Sequence, residues 1–352
     1  MDQFNSLKQH PELWETYVNE KEHPGTDSKY IGSDQSKVMT PVVSEHLMKQ
    51  GYHICYPGNK KFAICLTHDV DDIYPPLSHR VLSGLSSLKK KDWSALKKHL
   101  FWNKKGNQSS PYINFHKIME LEKKYNAKSS FYFMTAERDP RRFRYNIEDI
   151  ADEVKLIVDS GWEVGLHGGY YSFHDIDAIK REKRRLENVL GREVIGYRNH
   201  YLRFQIPSTW EILEKCGFKY DTTYGYTNMV GFRNGMCHPF RPYHLQRQQW
   251  MDIYEIPLHV MESAMFDFTK PDEAWELIKQ LLEKVELNNG VITVLWHNNV
   301  FSCPFRDHWA KIYEKILQYG ISRDAWMTSG EEIYEWWCEN GYLLYNRSDP
   351  VG

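Results

Sequence analysis

Nowhere in the sequence does an apolar run approach the roughly 20 residues of a membrane-spanning helix, so no helical span is expected. The N-terminus, Met1 to Lys21, is polar and charged and lacks the apolar segment of a secretion signal, which predicts a soluble, cytoplasmic protein. Cysteine is sparse and scattered. Cys55, Cys65, Cys216, Cys237, Cys303 and Cys338 form no C-x-x-C pair, so neither a zinc ribbon nor a disulfide framework is expected, and buried free thiols are the simplest reading. An excess of one charge is missing too: with a formal net charge of −2, no global field recruits nucleic acid or anionic membrane. The basic stretch Lys180 to Arg185 is interleaved with Glu182 and followed by Glu187, and it reads as a solvated helix face. No internal repeat or low-complexity segment stands out.

What is present is a chain of 352 residues, long enough for one large α/β barrel or two ordinary domains. Its 12 Trp and 23 Tyr suit either a large aromatic core or surfaces on which sugars stack. Residues 1 to about 60 carry scattered apolar positions and turn formers (Pro24-Gly25, Pro57-Gly58), with a helix expected around Val42 to Gln50, and read as an N-terminal extension packed on the main domain. From Phe62 onward short apolar runs alternate with amphipathic stretches. Strands are expected at Phe62 to Leu66, Ser130 to Met134, Trp162 to Leu166, Val194 to Tyr197, Ile253 to Leu258 and Val291 to Trp296. Helices are expected at Phe115 to Tyr125, Ile147 to Ser160, Ile176 to Leu190, Ser208 to Cys216, Pro271 to Leu287 and His308 to Tyr319. This alternation implies parallel strands with helices outside, a barrel or a doubly wound sheet, and places chemistry at the C-terminal ends of the strands. Residues 74 to 110, rich in Lys and Ser, read as a helical insertion after the first strand, and 341 to 352 as a C-terminal tail.

The ends of the expected strands carry acids and histidines where plain connecting loops would carry Ser, Gly and Asn. The first strand runs into Thr67-His68-Asp69-Val70-Asp71-Asp72. Carboxylates so close repel one another unless a cation or proton offsets them, although any single Asp there also suits a turn or helix cap. Asp69 and Asp71, two apart, face the same way if strand geometry persists. The third strand ends in Leu166-His167-Gly168-Gly169, where two glycines allow a ligand or ion to approach the backbone. The next ends in Tyr197-Arg198-Asn199-His200, adding a permanent cation that can hold a carboxylate by a charge-assisted fork. Val291 to Trp296 delivers His297, well placed for acid catalysis because imidazole titrates near neutrality. His259 is a weaker candidate, equally readable as structural.

Taken in order, these motifs resemble the polysaccharide deacetylase family (carbohydrate esterase family 4, NodB homology domain) over roughly residues 60 to 335. The resemblance implies an α/β fold, a distorted (β/α)7 barrel of the NodB type over residues 61 to 340. Thr67-His68-Asp69-Val70-Asp71 is similar to the family's T-F-D-x-D motif, which implies Asp69 as catalytic base and Asp71 as metal ligand. His167 matches the first histidine ligand, but the family's second, four residues on, is replaced by Tyr171, leaving His200 and His174 as candidates for the third ligand, with His200 preferred. Arg198 is implied as the residue that orients Asp69, although the prolines of that motif are missing. Gly217-Phe218-Lys219-Tyr220-Asp221-Thr222-Thr223 is similar to a further element, with Asp221 helping to position the site, and Leu295-Trp296-His297 to the motif of the catalytic acid. The implied activity is hydrolysis of an N-acetyl group on an amino sugar of a polysaccharide or its precursor, with a divalent metal, zinc or another first-row ion. The competing expectations are a metal-independent hydrolase of another amide, such as a cyclic ureide, and a catalytically silent carbohydrate-binding barrel.

Overall fold

A computed structural model describes residues 3–18, 38–51, 54–102, 110–140, 142–266 and 270–340. Pro24-Gly25, part of the 74–110 segment and the 341–352 tail lie outside these residues. The core is a nine-stranded, all-parallel sheet built around β1 (Ala63–Val70). Going one way from β1 come β2 (Ser130–Met134), β3 (Glu163–Gly168), β4 (Gly196–Asn199), β5 (Tyr220–Asp221) and β8 (Tyr254–Glu255). Going the other way come β10 (Val291–Leu295) and β9 (Leu258–Met261), while β11 (Trp326–Thr328) pairs with residues 63–65 of β1. The two-stranded ribbon β6 (Tyr243–His244) and β7 (Gln249–Trp250) stands apart.

The two ends of the sheet, β8 and β9, are successive pieces of one chain segment, separated only by Ile256-Pro257. That segment pairs with β5 through Tyr254 and Glu255 and with β10 through Leu258 to Met261, so the chain itself bridges the ends of the sheet and makes the distorted barrel. The sequence expectation of a single strand Ile253 to Leu258 is corrected here. Pro257 has no N–H to donate to a ladder, and the strand resumes at Leu258 and runs on to Met261. β1 also runs four residues past the expected Leu66, and every residue in it is buried, as a central parallel strand covered on both faces requires.

Helices follow the strands as their 3.6-residue apolar periodicity dictates. Ile176–Leu190 and Pro271–Leu287 form as expected; the first is capped by the Asp175 carboxylate on the N–H groups of Asp177 and Ala178 and ends at Gly191 in the left-handed region. The stretch Ile147 to Ser160 divides into a 3₁₀ turn at Ile147–Ile150 and an α-helix at Ala151–Asp159. Residues 77–101 form two helices, Leu77–Lys90 and Trp93–Phe101, which gives the insertion its helical character. In the N-terminal extension, helices span Gln3–Lys8, Pro11–Val18 and Val42–Met48.

The helix Gly330–Asn340, absent from the sequence reading, covers the N-terminal end of the barrel. Its first N–H groups meet acceptors inside the barrel: Gly330 donates to Ser130 Oγ at 2.8 Å and Glu331 to Glu163 Oε2 at 2.8 Å. Glu163 also accepts from Ser130 and Tyr220, and burial pushes its carboxyl up to about 7. Gly165, in the middle of β3, leaves room for the Tyr132 ring of β2. A Cβ there would overlap that ring and lie 3.1 Å from the Gly196 carbonyl. Gly165→Ala is therefore expected to destabilise the protein by about 1–3 kcal/mol through overpacking, measured as a lowered midpoint in denaturant unfolding with the slope unchanged.

Candidate active site

Strand alternation divides the Thr67-His68-Asp69 motif. His68 points outward, where Nε2 lies 2.8 Å from Glu122 and Nδ1 2.7 Å from the Trp296 carbonyl. Glu122 also accepts from Ser129, Trp162 and Tyr313, which makes a satisfied polar knot between sheet and helices. Thr67 and Asp69 point inward. There Arg198, wholly buried, donates through Nη1 to Thr67 Oγ1 (2.7 Å) and Asp69 Oδ1 (3.2 Å). Nε donates to the Thr222 carbonyl (3.0 Å) and Nη2 to Thr222 Oγ1 (2.8 Å), and the guanidinium carbon lies 5.0 Å from the centre of the Tyr132 ring.

Asp221 acts one layer away. Its Oδ1 accepts from the Thr223 N–H (3.1 Å) and hydroxyl (2.5 Å), closing the turn that presents Thr222 to Arg198, while Thr223 Oγ1 accepts from the Asn199 N–H (3.0 Å). Burial pushes the Asp221 carboxyl up, against hydrogen bonds from the neighbouring buried Glu255 and from Thr223 and the charge of Arg198.

At the C-terminal rim, Asp71, His167 and His200 come together. Asp71 Oδ1 lies 3.2 Å from His167 Nε2 and 3.4 Å from His200 Nδ1, and the two imidazole nitrogens are 3.1 Å apart. Of the outer nitrogens, His167 Nδ1 donates to the Arg198 carbonyl at 3.0 Å, and His200 Nε2 lies between Asp139 Oδ2 at 3.2 Å and Arg144 Nη2 at 3.3 Å. With the proton on Nδ1 of His167 and on Nε2 of His200, each ring turns a lone pair toward Asp71, and protonation of either ring turns that atom into a donor to Asp71. Asp71 Oδ1 itself is buried with no hydrogen-bond donor, so three electron-rich atoms within 4.8 Å of one another share an unoffset space. An N,N,O donor set converging on one point fits a first-row divalent cation. Burial pushes the Asp71 carboxyl up, but His200, His167 and His297 outweigh it and hold the group well below its ordinary value. For His200 burial acts downward, and Asp71 and Asp139 raise it overall.

His200, and not Tyr171, whose side chain is exposed, joins His167 and Asp71. It reaches the site because the chain kinks directly after it, with Tyr201 and Leu202 both in the left-handed region at φ 59° and 49°. Neither residue favours that conformation, and such local strain persists where the surroundings enforce it. His174, the other candidate, is exposed on a 3₁₀ turn against Phe173 and joins no such group. The glycines after His167 serve packing, a correction to the expected ligand approach: a Cβ on Gly168 would strike the Tyr197 ring, and one on Gly169 would lie 2.6 Å from Ala136 Cβ.

His297 faces the cluster from β10, its Nε2 3.8 Å from Asp71 Oδ2. Nδ1 lies 2.7 Å from Glu262 Oε1, which also accepts the His297 backbone N–H at 3.1 Å. Burial lowers the imidazole pKa, and Glu262, Asp71 and Asp69 more than reverse this, raising it to about 10. Glu262 was missed because the expected strand stopped at Leu258; with β9 ending at Met261, Glu262 is another strand-end acid. Asp139, in the loop after β2, had no signal beyond a run of mixed charge. His259 proves structural: Nε2 is 3.0 Å from the Met236 carbonyl, Nδ1 accepts from Thr293 N–H at 3.0 Å, and burial lowers it to about 4. Asp69, Asp71, His167, His200, Glu262 and His297 line a cleft of about 620 Å³, whose other walls include Arg142, Arg306, His79 and Tyr201.

If the triad holds a cation, Asp139→Ala leaves all three ligand atoms in place but frees the His200 ring. Zinc affinity, measured by competition with a chromophoric chelator, is expected to fall by about 10–100-fold, and an unchanged affinity would remove Asp139 from this role.

No family model matches the chain. A peptidoglycan deacetylase of Helicobacter pylori is 23% identical over 255 residues, which span 62% of this chain and 82% of the relative. Among solved structures, a Mycobacterium smegmatis protein assigned as a polysaccharide deacetylase superposes with a TM-score of 0.56 at 17% identity, covering 86% of this chain and 98% of that one. One from Pseudomonas aeruginosa PAO1, assigned likewise, gives 0.53 at 13% identity over 81% and 93%. These likenesses show the fold: the chain shares the distorted barrel of solved structures assigned as polysaccharide deacetylases.

Proposed function

We propose that the protein is a metal-dependent hydrolase that removes an N-acetyl group from an amino sugar of a polysaccharide or its precursor. The observation that carries this reading is the convergence of Asp71, His167 and His200 beside the Asp69–Arg198 pair and the Glu262–His297 pair in one cleft. A divalent ion held by Asp71, His167 and His200, zinc being the first choice, would supply Lewis acidity and lower the pKa of a water molecule.

The roles of the chain's own groups follow from their positions. Asp69, fixed through Oδ1 by Arg198, turns Oδ2 toward the His167 side of the cluster, 3.8 Å from His167 Nε2, and accepts the proton of the attacking water there. His297, across Asp71 from the histidine ligands, carries a proton that Glu262 stabilises, and gives it from Nε2 to the departing amine nitrogen. Arg198 and Asp221 are positioning residues, the first holding Asp69 and the second holding the Thr222 turn that engages Arg198. A purely sugar-binding barrel needs neither a base nor an acid, and a metal-free amide hydrolase has no use for a buried Asp71 oxygen facing two imidazoles.

The test is acetate release from N-acetylated glucosamine oligomers and peptidoglycan fragments by the zinc-loaded protein. Asp69→Asn and His297→Ala are each expected to lower kcat by about 10²–10⁴-fold with the fold intact. Wild-type activity that survives complete removal of metal would overturn the reading. The pH profile gives a separate check. The acid form of His297 is present below its pKa of about 10 and is lost as pH rises through it. Glu262→Gln removes the charge that raises this pKa, so the alkaline limb of kcat/KM is expected to move to lower pH. An unmoved limb would exclude His297 as the acid.

A further inference from the structure

The helix 77–90 of the insertion is turned the wrong way round for a helix facing water. The face it buries consists of Ser83, Gly84 and Ser87, with Gly84 close against Leu96 and Leu100 of helix 93–101. The face it presents outward carries Leu77, Val81, Leu85 and Leu88, spaced to form one stripe, with Leu82 and Trp93 beside it. Leu77 is 74% exposed, Leu85 60% and Trp93 68%, values that no packed amphipathic helix tolerates on its apolar side. Elsewhere among the described residues large exposed hydrophobic side chains occur singly, apart from Tyr171 and Tyr201 packed on Tyr170, and no aliphatic group is gathered as it is here.

The charge of the same segment is as one-sided as its apolar face. Between Leu77 and Phe101, Arg80, Lys89, Lys90, Lys91, Lys97 and Lys98 are opposed by Asp92 alone, in a chain whose overall charge is −2. Lys90 is tied to Asp307 at 2.8 Å. Lys89, Lys91, Lys97 and Lys98 are exposed and have no carboxylate within 4.0 Å among the described residues. The near-neutral total therefore hides a basic hairpin whose lysines are less engaged than the Lys180 to Arg185 stretch, where Lys183 and Arg185 are paired with Glu187 and Glu148. An apolar stripe of Leu and Trp bordered by unpaired lysines has the composition of a helix lying in the interface of an anionic bilayer. The first turn of helix 77–90, through Ser78 and His79, also lines the cleft.

We propose that the hairpin 77–101 seats on a membrane surface rich in anionic phospholipid, the Leu–Trp stripe entering the interface and the lysines meeting the headgroups, which holds the mouth of the cleft at the membrane plane. The contact is peripheral: no helix among the described residues is long and apolar enough to cross a membrane. The test is flotation of the full-length protein with vesicles of phosphatidylcholine alone and of equal parts phosphatidylcholine and phosphatidylserine. The protein is expected to float with the second and not the first, to be released by high salt, and to lose at least tenfold in vesicle affinity on Leu85→Ser with Leu88→Ser or on Lys91→Glu with Lys98→Glu. Both residue pairs are exposed, so the fold should survive, which circular dichroism checks. Failure of the wild-type protein to float with anionic vesicles would overturn the proposal. So would equal binding to neutral vesicles, or a dimer in analytical ultracentrifugation that the leucine variant dissociates. None of these readouts depends on catalysis, so the docking and the deacetylase reading stand or fall separately.

Discussion

A guanidinium with no exposed surface sits at the centre of this barrel, and much of the site is the answer to it. Removing such a charge from water costs several kcal/mol unless partners inside replace the lost hydration. Arg198 obtains them from Thr67 and Asp69 on β1 and from Thr222 just past β5, so it ties together strands from both sides of the sheet. Its own carbonyl then accepts from His167 Nδ1 and so sets the ring that faces Asp71. The pairing that satisfies Arg198 thus also orients the carboxylate and one imidazole of the rim. Removing Asp69 leaves a buried charge with one fewer partner, which is why stability and activity are coupled at this point.

Much of the fold was legible because the barrel obeys local rules: buried parallel strands read as apolar runs, and helices between them keep a 3.6-residue period. The helix Ile176–Leu190, with Asp175 before it and Gly191 after it, carries its boundaries in its sequence. What was not legible lies where a local rule is broken by something distant. Pro257 divides what reads as one strand, the second piece runs on to Met261 because β10 is there to pair with it, and an expected end at Leu258 concealed Glu262. The helix Gly330–Asn340 depends on Ser130 and Glu163 for its first hydrogen bonds, and the short β11 before it on Phe62 and β1, none of them near in sequence.

The site shows the same division. Asp69, Asp71, His167, Arg198 and His297 are strand-end residues, and strand ends are easy to find. His200 could be preferred over His174 only on grounds of rim position, because its delivery depends on two consecutive left-handed residues that no periodicity reveals. The partners that tune the site need the geometry: Asp139, on His200, is an ordinary acid in a loop, and Glu262, on His297, ends a strand whose continuation past Pro257 the sequence conceals.

The segment that closes the barrel has one more consequence. Its outer edges are already taken: Glu255 exchanges backbone hydrogen bonds with Phe240, the His259 carbonyl accepts from Gly231, and the Leu258 N–H donates to the Tyr224 carbonyl. A sheet finished in this way offers no ready template for strand-to-strand polymerisation, the usual hazard of an open parallel sheet. Recognition of other molecules is left to side chains on the rim and on the helices, so this scaffold can change its partners by redrawing loops and insertions while its backbone ladder stays the same.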